Sequence, residues 1–225
     1  MAHPCPSSSS FSFMVAAAVV VAAASLADVA AASPSSPKAT PPPPPPCMAS
    51  QSVVVFLRAR CASTLYRLTC YDALIPYGCT FRTSPVKLAR AAADVNAASL
   101  KNLTALTKQL VSRGIPGEAP GIAKEIQDCA SGLSSALSLA KQTAAELARL
   151  DAMGDAPTGN QASWALSNAK TWLSAAMTNE ATCADELGST GAAVSPAARE
   201  VIAGVVTARQ YTSIALSFVN AIPLS

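Results

Sequence analysis

The sequence predicts an all-α protein: an antiparallel, up-down-up-down four-helix bundle with an N-terminal helical hairpin, stapled by disulfide bonds. Three observations lead to this fold class. Four long segments from residue 84 onward repeat apolar residues at spacings of three and four, the period of one helix face. The segments between them are short, so neighbouring helices must run antiparallel. Cysteines lie on the apolar faces of two of the four segments.

Residues 1–32 are predicted to be a secretory signal peptide. They contain no Lys or Arg, are mostly apolar from Phe11 to Leu26, and end in small alanines, which is typical of a cleaved signal. The alternative is a membrane anchor, but Asp28 interrupts the run before it reaches the roughly 20 apolar residues that a span needs. We therefore expect a secreted, extracellular protein without a membrane segment after cleavage, in a compartment where disulfides persist.

Cleavage after residue 32 would remove Cys5 and also His3, the only histidine of the chain. Six cysteines would remain, an even number that suits a disulfide frame. Without an imidazole, the Ser-His-Asp and Cys-His nucleophiles and the common catalytic zinc sites are excluded. We therefore expect a protein that is not an enzyme and that uses no cofactor or metal.

The charge of the chain excludes a further class of partner. Lys and Arg number 16 and Asp and Glu number 13, so the loss of Asp28 leaves 12 acidic residues and a formal charge of +4. These charges are scattered, and no basic stretch is dense enough to indicate nucleic acid binding. A mild positive balance instead suits a partner or matrix that carries carboxylates.

Residues 33–47 form a proline-rich spacer that ends in six consecutive prolines and Cys47. Such a segment cannot bury apolar surface and is predicted to be an extended polyproline tether. Its Ser-Pro and Thr-Pro steps resemble the hydroxyproline-glycosylated segments of plant cell-wall proteins, so it is either glycosylated or an unmodified tether. The remaining residues, 48–225, are enough for one domain with a single core.

Residues 50–78 are predicted to form the helical hairpin. Its two helices, Val53–Arg60 and Ser63–Leu74, have only two or three turns each, too few to be stable alone. The eight residues between Cys61 and Cys70 suit a disulfide that closes the tip of this hairpin. On the chain-entropy relation, a bridge over so short a loop stabilises by roughly 2 to 3 kcal/mol.

Helix-start and helix-stop residues bound the four bundle helices. Ser84-Pro85 and Ser195-Pro196 start the first and fourth helices, and Gly114 ends the first, because serine caps, proline suits the first turn and glycine suits the C-terminal end. The second spans about 118–152 and the third about 161–187. The positions expected to face the core are Leu88, Ala92, Val95, Ser99, Leu103, Leu106 and Leu110, then Ile122, Ile126, Cys129, Leu133, Leu137, Ala140, Ala144 and Leu147, then Leu166, Ala169, Leu173, Ala176 and Cys183, and finally Val201, Val205, Ala208, Thr212, Ala215 and Val219. Glu180 falls on the third stripe and predicts a local kink or an exposed edge.

Register predicts the second disulfide. Gly154 and Pro157 separate the second and third helices, because neither residue type continues a helix there. With Ala156 as the hinge, Cys129 lies 27 residues before it and Cys183 lies 27 residues after it. Two antiparallel helices that rise equally per residue bring both sulfurs to one level. A bridge over this long loop stabilises by about 4 kcal/mol.

Cys47 and Cys79 are left over in this arrangement. They are predicted to pair with each other, which would tie the spacer to the hairpin. The alternatives are a free thiol or an intermolecular bond.

Residues 50–222 resemble the plant invertase and pectin methylesterase inhibitor domain. The likeness rests on these residues in this order: Cys61, Thr64, Tyr66 and Cys70; Gln127, Asp128 and Cys129; Thr171 to Ala176 with Thr178, Thr182 and Cys183; and Ser213 to Leu216. It implies a four-helix bundle with an N-terminal hairpin and the bridges Cys61–Cys70 and Cys129–Cys183. Two departures are Arg67, where the family has proline after the tyrosine, and Cys79, which lies outside the four-cysteine pattern.

The resemblance implies a protein inhibitor that docks without covalent chemistry over the substrate cleft of its target. The family divides into inhibitors of pectin methylesterase and of acid invertase, and the latter are associated with Pro-Lys-Phe. Here the nearest string is Pro37-Lys38-Ala39, which favours pectin methylesterase as partner and leaves acid invertase as the alternative. A structural cell-wall protein is a further alternative. The expected location is the apoplast or cell wall, where the positive charge also suits association with pectin.

Exposed polar positions on the second and third helices are the candidate partner-binding residues, because that hairpin presents a continuous face. They are Lys124, Gln127, Lys141, Gln142, Gln161 and Asn168. Trp164 and Trp172 lie beside the apolar stripe and are predicted to be packing residues.

Two further expectations concern modification and pH. Asn102-Leu103-Thr104 is the one N-glycosylation sequon, at the edge of the exposed face, where Asn102 is either modified or a solvated helix residue. With no histidine after cleavage, a response of the inhibitor between pH 6 and 7 requires a carboxylate whose pKa is raised by burial. The residues proposed for this are Asp128, Glu146 and Asp185.

Overall fold

Serine–proline pairs start two of the long helices, as the sequence predicts. In the computed structural model, which describes residues 48–114, 120–189 and 194–224, Ser84 Oγ accepts a hydrogen bond from the Lys87 amide at 3.3 Å. Ser195 Oγ accepts one from the Ala198 amide at 3.2 Å. Each serine thus satisfies an amide that the first turn of a helix leaves unpaired.

The described residues contain helices and no strand. In chain order the helices are α1 Gln51–Ala62, α2 Arg67–Leu74, α3 Gly78–Phe81, α4 Pro85–Arg113, α5 Pro120–Met153, α6 Gly159–Ser189 and α7 Pro196–Asn220. A 3₁₀ turn, Ile75–Tyr77, joins α2 to α3. The all-α class, the four long helices and the short helical hairpin before them are confirmed; the 3₁₀ turn and α3 were not separately predicted.

The four long helices form an up-down-up-down bundle. α4 packs on α5, α5 on α6, α6 on α7 and α7 on α4, whereas α5 and α7 barely touch. This order places each helix beside its chain neighbours and closes the ring between the first and the last. The face formed by α4 and α7 is therefore opposite the face formed by α5 and α6.

The predicted apolar stripes are buried in the bundle. Every core position predicted in α6 and α7 is buried, and the predicted positions of α4 and α5 are buried or half-buried. They form two apolar clusters, one beside the hairpin around Leu57, Leu147 and Phe218, and one at the far end around Leu100 and Leu133. Alanines fill much of both clusters, so the helices pack closely.

The short hairpin is attached to the near end of the bundle by its own apolar residues. Leu57 of α1 and Leu74 of α2 are fully buried in the same cluster as Phe81 and Phe218. Gly78 of α3 permits close packing against the segment before α1, because a Cβ atom there would lie 2.7 Å from Ala49 Cβ. The exposed Arg67 starts α2, so the hairpin forms without the proline that the family has at this position.

Two disulfide bonds join described cysteines in the pairings expected from the sequence. Cys61–Cys70 has a Cα–Cα distance of 5.6 Å and links α1 to α2. Cys129–Cys183 has a Cα–Cα distance of 4.6 Å and links α5 to α6 across 54 residues of sequence. Cys79 is also disulfide-bonded. Its predicted partner, Cys47, lies outside the described residues, so that pairing stays a prediction.

Glu180 does not mark a kink or an exposed edge, and this expectation was wrong. Helix α6 is continuous through it, and Glu180 is 0% exposed. The buried Thr212 of α7 and Asn96 of α4 lie beside it. The stripe pattern placed the residue correctly on the inner face. Its charge suggested an exposed position only because the polar partners on two other helices were not visible in the sequence.

The predicted signal peptide at 1–32 and spacer at 33–47 lie outside the described residues, which all belong to one compact unit. Within the ranges 48–114, 120–189 and 194–224, no helix has the length and apolar character required to traverse a lipid bilayer.

Removal of the long-loop disulfide is expected to destabilise the protein more than removal of the short one. Cys129→Ala with Cys183→Ala should lower the free energy of unfolding by about 4 kcal/mol, and Cys61→Ala with Cys70→Ala by about 2 to 3 kcal/mol, because the longer loop gains more entropy in the unfolded chain. Denaturant unfolding of the two double variants beside the unchanged protein measures both. Equal losses would contradict the chain-entropy account.

Candidate docking surface

A groove lies on the α5/α6 face, at the end where the two helices are joined by their short loop. Helix α5 ends at Met153 and Gly154 follows with φ of 100°, a conformation that suits glycine and turns the chain back into α6. The groove encloses about 380 Å³. Its lining side chains are Glu146, Arg149, Met153, Gln161, Trp164 and Asn168.

A carboxylate at the floor of this groove connects the two helices. Glu146 of α5 is buried, and both of its oxygens accept hydrogen bonds from Arg149 Nη1 at 3.0 Å. Asn168 of α6 donates from Nδ2 to Glu146 Oε1 at 3.4 Å. The buried charge is therefore paired and hydrogen-bonded, as burial requires. The same contacts orient Arg149 and Asn168 along the groove.

Trp164 stands at the rim of the groove with 70% of its surface exposed. The prediction that it is a packing residue was wrong, whereas Trp172 is half-buried. The reason is helical phase. Trp164 lies nine residues before the buried Leu173, which is two and a half turns and therefore the opposite side of α6. Counting turns from Leu173 would have found it in the sequence.

The groove combines large apolar surface with fixed polar groups. Met153 is 41% exposed beside Trp164, while Arg149, Gln161 and Asn168 surround them. Aromatic, Met and Arg side chains are enriched at the centres of protein–protein interfaces, and Trp and Arg dominate their binding energy. This arrangement can bind a protein surface without performing chemistry.

Comparison with known proteins identifies the family. A family model described as plant invertase/pectin methylesterase inhibitor matches residues 55–218. The chain belongs to this family. Its members are inhibitor proteins and not catalysts, so the expectation that the chain is not an enzyme is confirmed, and the chain is a pectin methylesterase inhibitor-like protein.

Two of three curated relatives are named pectinesterase inhibitors. The chain is 28% identical over 172 residues to Pectinesterase inhibitor 10 of Arabidopsis thaliana, covering 76% of this chain and 52% of the relative, so it spans about half of that protein's length. It is 31% identical over 171 residues to Pectinesterase inhibitor 9 of the same plant, covering 73% and 79%. It is 29% identical over 167 residues to a 21 kDa protein of Daucus carota, covering 73% and 82%.

Solved structures of the family share the fold. A pectin methylesterase inhibitor from Arabidopsis thaliana superposes with a TM-score of 0.51 at 19% identity, covering 75% of this chain and 97% of that one. A mutant form of a pectin methylesterase inhibitor from Arabidopsis gives a TM-score of 0.53 at 20% identity, covering 73% and 95%. These two likenesses support the helical bundle and nothing finer.

The six predicted partner-binding residues of this inhibitor-like protein do not all meet in the groove. Gln161 and Asn168 line it. The exposed Lys124 forms an ion pair with Asp128 at 2.7 Å near the other end of α5. Gln127 lines a different groove, which it shares with Lys108 and Ser112 of α4.

The last two candidates lie in the middle of α5. Lys141 and Gln142 are both exposed, and Gln142 Nε2 donates to the Ser138 carbonyl at 3.4 Å. Neither lines the groove between α5 and α6. A sequence gives the exposure of such positions, but the side of α5 on which each lies depends on how the helix is rotated in the bundle.

A buried carboxylate with a raised pKa lies at a residue that the sequence did not nominate, Glu180. Burial raises the pKa of Glu180 from 4.5 to about 7, although the Thr212 hydrogen bond and the positive Arg209 of α7 act in the opposite direction. Thr212 Oγ1 lies 2.6 Å from Glu180 Oε1 and 2.9 Å from Asn96 Oδ1. Glu180 Oε2 and Asn96 Nδ2 have no hydrogen-bond partner among the described residues.

The geometry of this cluster explains why the proton is retained. The Thr212 hydroxyl has one hydrogen, but three oxygens lie within its reach: those of Glu180, Asn96 and the Ala208 carbonyl. An ionised Glu180 adds acceptors and no donor. A protonated Glu180 supplies a second hydrogen and removes a buried charge, so the neutral form is favoured.

Glu180→Gln is expected to reduce the loss of stability that accompanies rising pH. The unfolded chain releases the Glu180 proton near pH 4.5 and the folded chain near pH 7, so the folded state is fully stable below the lower value and loses stability as pH rises between the two. The loss reaches about 3 kcal/mol above pH 7. Unfolding free energies at pH 5 and pH 8 measure it.

The control for this comparison is Asp185→Asn, an exposed position on the same helix. Glu180→Gln should gain stability relative to the unchanged protein at pH 8 and not at pH 5, and Asp185→Asn should follow the unchanged protein at both. If Glu180→Gln follows it as well, Glu180 is not the titrating group.

Proposed function

We propose that this protein is a secreted inhibitor of pectin methylesterase that forms a one-to-one, non-covalent complex and covers the substrate cleft of the enzyme. The observation that carries the proposal is family membership over residues 55–218, together with relatives named pectinesterase inhibitors. The location follows from the family, whose members are typically extracellular, and from the predicted signal peptide. Apoplast and cell wall are the compartments in which such a target acts.

The α5/α6 face is proposed as the docking face, with the groove around Trp164 at its centre. Trp164 and Met153 give it exposed apolar area, and Arg149, Gln161 and Asn168 give it donors for the backbone or carboxylates of a partner. Glu146 holds two of these donors in place through hydrogen bonds. A preformed surface loses little conformational entropy on docking, and a helical hairpin crosslinked by Cys129–Cys183 is such a surface.

Acid invertase is the alternative target, since the family contains inhibitors of both enzymes. The sequence has no Pro-Lys-Phe, and its nearest string is Pro37-Lys38-Ala39; this absence favours pectin methylesterase. The further alternative is a structural cell-wall protein whose proline-rich segment is the active part. Deletion of residues 33–46 separates this class from an inhibitor, because an inhibitor would keep its activity and a structural protein would lose wall binding.

The secreted, processed protein is expected to inhibit pectin methylesterase with one-to-one stoichiometry and to leave acid invertase active. Titration of each enzyme at a concentration well above the dissociation constant, with size-exclusion chromatography of the mixture, gives both activity and stoichiometry. Inhibition of acid invertase alone would assign the protein to the other branch. Inhibition of neither enzyme would leave the structural alternative.

Trp164→Ala is expected to weaken the complex by at least about 30-fold, or roughly 2 kcal/mol, the loss typical of a central aromatic residue at an interface. Because Trp164 is mostly exposed, the melting temperature should not change. The matched control is Val206→Ala, which removes an exposed apolar side chain, 47% exposed, from α7, a helix outside the α5/α6 pair. Equal inhibition by all three proteins would exclude Trp164 as the anchor.

A further inference from the structure

The α4/α7 face carries a long, shallow groove of about 610 Å³. It forms because Gly204 of α7 lies directly against the Leu103 side chain of α4, where any Cβ atom would clash. The close approach leaves apolar surface beside it, including the half-buried Leu106 and Tyr211. Asn102 is exposed and lines this groove.

Asn102 is also the first residue of the acceptor sequence Asn102-Leu103-Thr104. The structure divides the three residues between surface and interior. Asn102 faces solvent, whereas Leu103 and Thr104 are 5% and 4% exposed. An oligosaccharide attached to the Asn102 amide would therefore leave the packing of α4 unchanged, although such sequons are usual in surface loops.

We propose that Asn102 carries an N-linked oligosaccharide that covers the α4/α7 groove and keeps this face of the protein in solvent. The donor is an oligosaccharide linked to a polyprenyl pyrophosphate. A bond forms between Asn102 Nδ2 and C1 of the first sugar, the bond between C1 and the pyrophosphate oxygen breaks, the lipid pyrophosphate leaves, and one amide proton passes to a base of the transferring enzyme.

The buried hydroxyl of Thr104 indicates that the oligosaccharide is transferred before the chain folds. Thr104 Oγ1 donates to the Leu133 carbonyl of α5 at 3.3 Å. Once α4 packs against α5, the transferring enzyme can therefore no longer reach this hydroxyl. The acceptor asparagine and the hydroxyl are both accessible only in the unfolded segment. Transfer therefore precedes bundle formation.

An oligosaccharide at Asn102 has one consequence for the docking of a partner, and this consequence rests on the proposed function. The α4/α7 face lies opposite the α5/α6 face, so an attached sugar chain prevents a large partner from docking on α4 and α7 and leaves the groove at Trp164 free. Glycosylation and inhibition are then compatible in the same molecule.

The first experiment tests the modification alone. The full chain is expressed in a plant secretory host with its own residues 1–32 and, in parallel, with a heterologous secretory signal. Intact mass and glycosidase treatment are measured for the unchanged protein, Asn102→Gln, Thr104→Val and Thr104→Ser. One oligosaccharide is expected on the unchanged protein and on Thr104→Ser, which keeps the sequon, and none on the other two.

An unmodified Asn102 in both secreted products overturns the proposal. A glycan on either product supports it, and failure of the first product to be secreted counts only against residues 1–32 as a signal. Thr104→Val and Thr104→Ser change the same buried side chain. If their melting temperatures agree, a difference in glycosylation between them is not caused by misfolding of one variant.

The second experiment separates the glycan from the docking face. Lys170→Thr completes a sequon at Asn168, in the groove of the α5/α6 face, and Lys170→Gln is its control without a sequon. Inhibition of pectin methylesterase should be lost when Asn168 is glycosylated, and should change less than threefold when the native glycan is removed enzymatically. A gain above threefold on that removal overturns the claim that the glycan at Asn102 leaves the docking face free. Retained inhibition by glycosylated Lys170→Thr refutes the docking face and leaves the site at Asn102 intact.

Discussion

The crosslink between α5 and α6 sets the geometry of the candidate docking surface. Cys129–Cys183 fixes which residue of α5 stands opposite which residue of α6. Glu146 lies 17 residues after Cys129 and Asn168 lies 15 residues before Cys183, so the register set at the bridge is kept along about 25 Å of helix. A slip of one turn would separate the carboxylate from its Asn168 donor. The groove thus depends on a covalent bond at the other end of the same helix pair.

Much of the fold was accessible from the sequence because helices are encoded locally. Ser84 and Ser195 marked starts, Gly114 and Gly154 marked ends, and the spacing of apolar residues gave the buried faces. The hinge count around Ala156 gave the α5/α6 register. Each of these signals depends on residues within a few turns of one another, which is why the bundle could be predicted without knowledge of distant contacts.

The surface was harder to predict from the sequence, because it depends on how each helix is rotated in the bundle and on contacts between helices. Trp164 was predicted to be a packing residue because it was placed beside the apolar stripe, although its distance from Leu173 along the helix puts it on the outer side of α6. Glu180 was assigned to an edge by its charge, although Asn96 and Thr212, 84 and 32 residues away in the sequence, give it a polar environment inside. Neither partner is recognisable until α4, α6 and α7 are assembled.

The cluster of Glu180, Thr212 and Asn96 has a consequence for the uniqueness of the fold. Helices rich in alanine present similar small side chains at every turn, so neighbouring turns offer nearly equivalent alignments. Only one alignment of α4, α6 and α7 brings the three polar groups together; any other leaves each of them buried in apolar surroundings without even a partial partner. These three polar groups therefore select a single arrangement of α4, α6 and α7, which the Cys129–Cys183 bond does not join to one another. The positions of the surface residues on these helices follow from that arrangement.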